Sequence, residues 1–236
     1  MADTSLRLTI DDSVAQIHAD DGKANALSPA MIEALHGALD RAEKEAGAVL
    51  LVGRAGRFCA GFDLAVMRQG PSAMRDLVTS GAELFLRQLE FPLPIVAACT
   101  GHALAAGALL LLASDLRIGA RGDFKIGLNE VGIGMSLPVF AVEMARQRLS
   151  KRHFLRATSQ AELYDPEAAV DAGYLDRAVD AGDLEAAARA EARRLAEAPQ
   201  PAFRLTKRSV HRALVQSVRN TLEEDMARLT GPTGAR

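Results

Sequence analysis

A strand that runs into a loop of small residues occurs twice in this chain, and this pattern constrains the fold more than any other feature. The apolar strand Ala48–Val52 precedes the loop Phe58–Leu64, which reads Phe-Cys-Ala-Gly-Phe-Asp-Leu. The apolar strand Ile95–Ala98 precedes the loop Cys99–Gly107, and the apolar run Ala103–Ala113 predicts a buried helix there. Continuous apolar strands that alternate with helices are typical of an α/β core with parallel strand pairing.

The small residues leave backbone N–H groups of both loops open to a ligand, because no bulky side chain covers them. Two such N–H groups aimed at one oxygen form an oxyanion hole. Downstream, Glu130 lies in the mostly apolar segment Lys125–Gly134, and the sequence leaves open whether its carboxylate is exposed in a turn or buried. A buried carboxylate holds its proton more strongly, so it could act as a base near neutral pH on a thioester or similar carbonyl substrate.

Local patterns predict several of the remaining elements. Apolar alternation indicates an antiparallel hairpin over residues 6–17, and Ser28 followed by Pro29 indicates the start of a helix. Strands are predicted for Asp115–Ala120 and Phe124–Ile126. The rest of the chain is almost wholly helical by pattern, with amphipathic helices predicted at Asp183–Ala196 and Phe203–Leu229.

Composition and charge exclude several classes of function. The net charge of −2 and the 4% of aromatic residues, with no Trp, argue against a nucleic-acid partner. The longest apolar run is too short to span a bilayer, and Met1–Ser5 shows no signal-peptide pattern, so we expect a cytoplasmic protein without membrane insertion. Cys59, Cys99 and the scattered histidines show neither a disulfide framework nor metal-ligand spacing, so no metal is expected. Disorder is expected only in the tail Thr230–Arg236.

Three other polar residues of the loops are candidates for catalysis, but the sequence favours structural roles for them. Cys59 has no identifiable base to activate its thiol. His102 has no carboxylate partner at short range, so packing is favoured. Asp63 is interpreted as a helix N-terminal residue or loop anchor. A nucleotide-binding fingerprint, a Walker loop and a Gly-x-Ser-x-Gly nucleophile motif are all missing from the sequence.

Taken together, these motifs resemble those of the crotonase (enoyl-CoA hydratase/isomerase) superfamily. The segment Lys23–Leu27 resembles the family's Asn-Ala-Leu segment near the adenine of coenzyme A, and Phe58–Leu64 resembles its Phe-x-Ala-Gly-x-Asp-Leu oxyanion loop. Residues 100–115 resemble its Asn-Gly…Gly-Gly-Gly…Cys-Asp block, with Ala105 and Ala106 in place of two glycines. The resemblance covers nearly the whole chain.

The resemblance implies an α/β fold, a crotonase-like spiral of β-β-α units with a helical C-terminal segment. Residues 1–195 would form the spiral core, and residues 196–236 a helical segment for trimerisation or for a lid. The implied partner is an acyl-CoA thioester, in which coenzyme A is part of the substrate, so no separate cofactor is expected. The implied assembly is a homotrimer or a dimer of trimers.

The resemblance also implies roles for individual residues. The backbone N–H groups of Phe62 and Ala106 would bind the thioester oxygen, and Glu130 would move the proton. Further contacts with the acyl group or coenzyme A are expected from Lys23, Ala24, Ala26, Ala60, Gly61, Asp63, Leu64, Gly107, Leu109 and Lys207.

The departures from the family pattern decide which reaction is favoured. Family hydratases use two glutamates, and Leu109 stands at the position of the first, while Glu130 corresponds to the second. With Ile126–Glu130, this arrangement resembles the single-glutamate Δ3,Δ2-enoyl-CoA isomerases, so double-bond isomerisation is the preferred hypothesis. Two alternatives stay open: an enoyl-CoA hydratase with Glu130 as its sole acid and base, and a non-catalytic acyl-CoA binder, which the substitutions at Ala106 and Leu109 would favour.

Overall fold

Units of two strands and a helix repeat along this chain, whose computed structural model describes residues 6–230. The strands are β1 (Leu6–Asp11), β2 (Val14–Ala19), β3 (Ala48–Val52), β4 (Gly56–Cys59), β5 (Ile95–Cys99), β6 (Gly101–Leu104), β7 (Leu116–Ala120), β8 (Ile126–Gly127) and β9 (Arg177–Val179). The helices are α1 (Pro29–Glu45), α2 (Leu64–Met67), α3 (Pro71–Glu90), α4 (Ala106–Leu112), α5 (Val139–Arg148), α6 (Phe154–Ala157), α7 (Pro166–Ala172), α8 (Leu184–Ala196) and α9 (Gln200–Thr230), with a 3-10 turn at Val131–Ile133.

The strands form two sheets of different size. A six-stranded sheet has the order β1-β2-β3-β5-β7-β9, and a three-stranded sheet has the order β4-β6-β8. After the first hairpin, each unit therefore gives its first strand to the large sheet and its second strand to the small one. The pairing is parallel everywhere except between β1 and β2. The predicted α/β spiral is confirmed.

Local sequence explains the start of the chain. Asp12 and Ser13 both have positive φ, 48° and 59°, as in the two-residue turns that match the twist of a hairpin. Asp11 pairs directly with Val14, which confirms the predicted hairpin. Helix α1 begins as predicted, because the Ser28 side chain accepts a hydrogen bond from the Met31 N–H at 3.2 Å.

The central strands are apolar throughout because both faces of the large sheet are covered. On β3, Val49 and Leu51 belong to the main core, whereas Leu50 and its neighbours on the other face pack against α8. Buried Ala188 and Ala192 allow that helix to approach the sheet closely. A strand buried on both faces cannot alternate apolar and polar residues, which is why the continuous apolar runs predicted parallel strands correctly.

The long C-terminal helix packs on its own chain. Helix α9 lies against α3 and α5 through buried Leu214, Val215 and Val218. The trimerisation or lid role of residues 196–236 stays a prediction, and Met1–Ser5 and residues 231–236 of the tail lie outside the described residues. Within residues 6–230, no helix is both long enough and apolar enough to cross a membrane.

Candidate active site

Three parallel strands of the small sheet end at the same edge, and each delivers one part of the candidate site. Strand β4 leads to Phe62, β6 leads to Ala106, and β8 leads to Glu130. The two loops touch each other: a Cβ built on Gly61 would lie 2.9 Å from the Ala105 Cβ and 3.5 Å from the Ala106 nitrogen. Because the carboxyl ends of parallel strands share one edge, residues far apart in sequence meet there.

The Phe62 N–H is left free by the way its loop is held. Leu27 donates its N–H to the Gly61 carbonyl at 2.8 Å and accepts from the Asp63 N–H at 3.0 Å. This bridge uses the groups on either side of Phe62, and the Phe62 N–H has no backbone or side-chain acceptor among residues 6–230. The Phe62 ring is close to α3, where a Cβ on Gly81 would lie 2.2 Å from it.

The Ala106 N–H likewise has no acceptor in residues 6–230, because it is the first N–H group of helix α4. The preceding Ala105 has a φ of 51° and a ψ of −123°, a conformation that L residues rarely adopt. Its own N–H donates to the Gly127 carbonyl at 3.0 Å, which ties the turn to β8. Gly107 is required for close packing, since a Cβ there would lie 2.1 Å from the Cys59 carbonyl oxygen.

Most of the predicted loop Cys99–Gly107 departs from the expectation. Cys99 ends β5 and Gly101–Leu104 form strand β6 between β4 and β8, so that only Thr100 and the turn at Ala105 remain outside the strands and α4. Glycine is needed at position 101, because a Cβ there would lie 2.1 Å from the Gly56 carbonyl carbon. The predicted strand Phe124–Ile126 is found instead as the two-residue strand Ile126–Gly127.

Glu130 is buried, which settles the question that the sequence left open. Glu130 is only 9% exposed, and its Oε2 has no hydrogen-bond partner in the described part of the chain. Burial raises the pKa of Glu130 to about 7, and hydrogen bonding with its own backbone opposes this shift. The Glu130 carbonyl accepts from the Ile133 and Met135 N–H groups at 3.0 and 2.9 Å, which fixes the backbone. A carboxyl with this pKa can accept and return a proton near neutral pH.

The site thus combines two N–H donors that have no acceptor within residues 6–230 with one buried carboxyl group. A family model described as enoyl-CoA hydratase/isomerase matches residues 9–233. The chain belongs to the enoyl-CoA hydratase/isomerase family. It is therefore a member of the crotonase superfamily of acyl-CoA enzymes.

Individual relatives of this family differ in the reaction that their names give. A probable enoyl-CoA hydratase of Rhodobacter capsulatus is 32% identical, over 98% of this chain and 90% of that protein. The structure of an enoyl-CoA hydratase/isomerase family protein from Pseudomonas syringae is 42% identical with a TM-score of 0.93, covering 95% of this chain and 98% of that one. The apo structure of an enoyl-CoA isomerase of Mycobacterium tuberculosis is 36% identical with a TM-score of 0.91, covering 96% and 99%.

The segment predicted to contact coenzyme A lies beside the first loop. The Ala60 N–H donates to the Ala24 carbonyl at 3.1 Å, and exposed Lys23 and half-buried Ala26 flank this bond. Sequence reasoning missed the anchor of the segment, buried Asn25, which has a φ of 52° and donates from Nδ2 to the Ala19 carbonyl at 2.9 Å. The sequence did offer a signal for this anchor, because Asn tolerates the left-handed backbone conformation better than most residues.

Among the other residues predicted around the first loop, Gly61 is buried, whereas Ala60, Asp63 and Leu64 lie at the surface. Ala60 and Leu64 are exposed, and Leu64 retains 48% of its accessible surface. Asp63 caps α2 by accepting a hydrogen bond from the Ala65 N–H at 2.8 Å, which confirms the interpretation of this residue as a helix N-terminal residue. Leu64 thus presents an exposed apolar side chain two residues after Phe62.

Leu109 lies one turn along α4 from Ala106 and is only 1% exposed. Its side chain has no titratable group that could exchange a proton, and it packs in the main core. The position that holds a glutamate in family hydratases is therefore apolar in this chain, both in sequence and in its surroundings.

Lys207 is not brought to the site within this chain. Its ammonium is buried and lies 2.6 Å from the Asp115 carboxylate, which also accepts the Ile95 N–H at 2.8 Å. Burial lowers the pKa of Lys207, and the charge of Asp115 opposes that shift. Asp115 follows the C-terminal end of α4, whereas Ala106 is at its N-terminal end. The structure thus gives Lys207 an ion-pair partner within the chain, and its contact with coenzyme A stays a prediction.

The structural interpretations of the remaining loop residues hold. Burial raises the pKa of both the Cys59 and Cys99 thiols to about 12, so neither supplies a thiolate near neutral pH. His102 accepts a hydrogen bond from the Lys125 N–H at 3.0 Å and packs edge-on against Phe124, with ring centroids 5.5 Å apart.

Proposed function

We propose that this chain moves the double bond of an enoyl-CoA from the 3 to the 2 position, with Glu130 as the only proton shuttle. The observation that carries the proposal is the buried Glu130 side chain, whose Oε2 has no hydrogen-bond partner within residues 6–230. It lies at the edge where the Phe62 and Ala106 N–H groups also have no acceptor in those residues. Its raised pKa, about 7, lets one group both take and return a proton. Coenzyme A would enter as part of the substrate.

The reaction would need no other reactant. The thioester oxygen would accept hydrogen bonds from the Phe62 and Ala106 N–H groups, which stabilises negative charge on that oxygen. The Glu130 carboxylate would take a proton from C2, and the electron pair would pass into the carbonyl to give a dienolate. The protonated Glu130 would then return the proton to C4, so that the double bond lies between C2 and C3 and the carboxylate is regenerated.

The buried Leu109 favours isomerisation over hydration. Syn addition of water requires a group that holds and activates the water while a second group supplies the proton. Leu109 can do neither, because its side chain is apolar and is packed in the core. Isomerisation uses a single mobile proton, so an apolar residue at that position is compatible with it.

The variant Glu130→Gln tests the proposal, because it keeps the shape of the side chain and removes the base. We expect turnover of a 3-enoyl-CoA to fall by a factor of about 10² to 10⁴, the usual contribution of a general acid-base group, while acyl-CoA binding changes little. Glu33→Gln is the matched control, since Glu33 is exposed on α1. Undiminished turnover in Glu130→Gln would refute the assigned role.

Assays on the same purified wild-type protein distinguish the two alternative functions, hydration and acyl-CoA binding without catalysis. If the wild-type protein consumes the conjugated chromophore of a 2-enoyl-CoA and leaves a 3-enoyl-CoA unchanged, the protein is a hydratase with Glu130 as its only acid and base. If it binds acyl-CoA tightly and turns over neither substrate at several chain lengths, it is a non-catalytic binder.

A further inference from the structure

Tyr174 is a buried residue that the proposed mechanism does not use. It is completely inaccessible to solvent, and its hydroxyl has no hydrogen-bond partner among the residues that the structure describes. Its backbone is held firmly: the Tyr174 N–H donates to the Ala169 carbonyl at 2.9 Å, and the preceding Gly173 has a φ of 99° that ends α7. A buried hydroxyl without a partner costs about 1–3 kcal/mol, and phenylalanine would fill the same space without that cost.

The Tyr174 hydroxyl shares its surroundings with Glu130. It lies beside the backbone of Leu128, two residues before Glu130, and the nearby Glu130 charge contributes to its electrostatic environment. Burial is the main cause that raises the pKa of Tyr174. The backbone N–H of Leu128 opposes this shift, and the charges of Tyr164 and then Glu130 add smaller contributions to it, so the phenol stays protonated and is a donor. Glu130 Oε2 is a buried acceptor without a partner. The Tyr174 O–H, which has no acceptor, and Glu130 Oε2, which has no donor, are therefore both buried near the backbone of Leu128.

A second tyrosine holds the Tyr174 ring in place. The Tyr164 ring lies 5.8 Å from the Tyr174 ring at an interplanar angle of 44°. Tyr164 forms hydrogen bonds in both directions with the backbone of Ile126 on β8, each 2.9 Å long. The Tyr164 hydroxyl is already used, since it lies 3.3 Å from His153 Nδ1, and His153 Nε2 lies 3.0 Å from Asp171. Of the two stacked phenols, only Tyr174 has a hydroxyl proton without an acceptor in the part of the chain that the structure describes.

We propose that Tyr174 is a positioning residue for Glu130, whose phenol O–H donates a hydrogen bond to the ionised carboxylate and orients it toward the substrate. Hydrogen bonds of this kind are often long in the free enzyme and tighten when substrate binds. The bond stabilises the ionised form of Glu130 and offsets part of the effect of burial. This inference rests on the proposed role of Glu130 as the base.

The variant Tyr174→Phe tests the inference, and Tyr164→Phe is its matched control. Both changes remove one hydroxyl from the same pair of rings, but only the first removes the donor assigned to Glu130. The probe is the infrared carbonyl band of the protonated Glu130 carboxyl group, followed against pH and isolated by subtracting the spectrum of Glu130→Gln. The acidic limb of the pH profile of kcat/KM for a 3-enoyl-CoA is the second readout.

In Tyr174→Phe we expect both midpoints to move to higher pH by about one unit, as loss of a hydrogen bond to a charged group predicts. In Tyr164→Phe we expect both midpoints to stay in place, while the lost bond to His153 lowers stability. Unchanged midpoints in Tyr174→Phe, with unchanged or higher stability, would overturn the inference and leave the hydroxyl as an unsatisfied structural group.

Failure of the inference and failure of the proposed function give different results. If Glu130→Gln is inactive and Tyr174→Phe leaves both midpoints unchanged, only the inference fails. If Glu130→Gln retains full isomerase activity, the proposed function fails, and the role of Tyr174 as a partner of a catalytic base fails with it.

Discussion

The ionised Glu130 carboxylate should destabilise the folded protein, so that Glu130→Gln makes the protein inactive and more stable at alkaline pH. Burial raises the pKa of Glu130 from its ordinary 4.5 to about 7. Because the pKa is higher in the folded state, the folded chain binds more protons than the unfolded chain between these values. The stability of the wild-type protein therefore falls as pH rises through this window, and glutamine, which does not titrate, removes that loss.

The size of the effect follows from the two pKa values. Each unit of pKa difference corresponds to about 1.4 kcal/mol, so the full destabilisation from Glu130 is about 3 kcal/mol at pH 8 and about 1 kcal/mol at pH 5. For a chain of this length, 1 kcal/mol changes Tm by about 2–4 °C. We expect Glu130→Gln to gain about 2 kcal/mol more at pH 8 than at pH 5, which is about 4–8 °C more in Tm.

Urea unfolding of the wild-type protein and of Glu130→Gln at pH 5 and pH 8, at one protein concentration, measures this difference. Glu33→Gln is the control, because Glu33 is exposed, and it should show the same stability change at both pH values. Any constant effect of the new amide cancels when the two pH values are compared. An equal stability change in Glu130→Gln at both pH values would refute the reasoning, because it would mean that Glu130 titrates in the folded protein as it does in the unfolded chain.

Three further substitutions test how the site is built. Gly81→Ala should lower kcat/KM by about 10- to 100-fold in steady-state assays, because the new Cβ would lie 2.2 Å from the Phe62 ring and would shift a donor of the oxyanion hole. Leu109→Ala should cost about 2–5 kcal/mol in urea unfolding and leave isomerisation measurable, since this buried side chain carries no proton. Lys207→Met should cost about 3–5 kcal/mol, because it leaves the largely buried Asp115 charge unpaired, and it should not raise the KM for acyl-CoA.

Each of these has a control and a contradicting result. Gly37→Ala, at an open position of α1, should stabilise the protein by about 0.5–1 kcal/mol, and an equal fall in activity there would make the Gly81 effect nonspecific. Leu155→Ala removes an exposed leucine and should be nearly neutral. Lys151→Met is the exposed lysine control, and a KM increase confined to Lys207→Met, without loss of stability, would restore the predicted contact with coenzyme A.

Features set by neighbouring residues were predictable from the sequence. The hairpin at Asp12 and Ser13, the Ser28 cap and the strand Ala48–Val52 depend on turn chemistry, side-chain capping and apolar runs within a few residues. The loop Phe58–Leu64 was predicted to be the first part of the candidate site because its motif resembles the oxyanion loop of the family. These predictions needed no knowledge of which segments meet in space.

Features set by distant partners were not predictable in this way. Gly101–Leu104 becomes a strand because β4 and β8 lie on either side of it, and a loop of small residues gives no local sign of that pairing. Lys207 forms its ion pair with Asp115, which is 92 residues away in the chain. The burial of Glu130 likewise depends on tertiary packing around it, including the region of Tyr174, so its raised pKa required the structure.

A crystal structure of the Glu130→Gln variant with a bound 3-enoyl-CoA tests the central claim most directly, because the substrate stays unreacted. The account predicts that the thioester oxygen lies about 3 Å from both the Phe62 and Ala106 nitrogens, with C2 and C4 facing the side chain at position 130. A thioester oxygen bound elsewhere, or a residue 130 side chain turned away from C2, would contradict it.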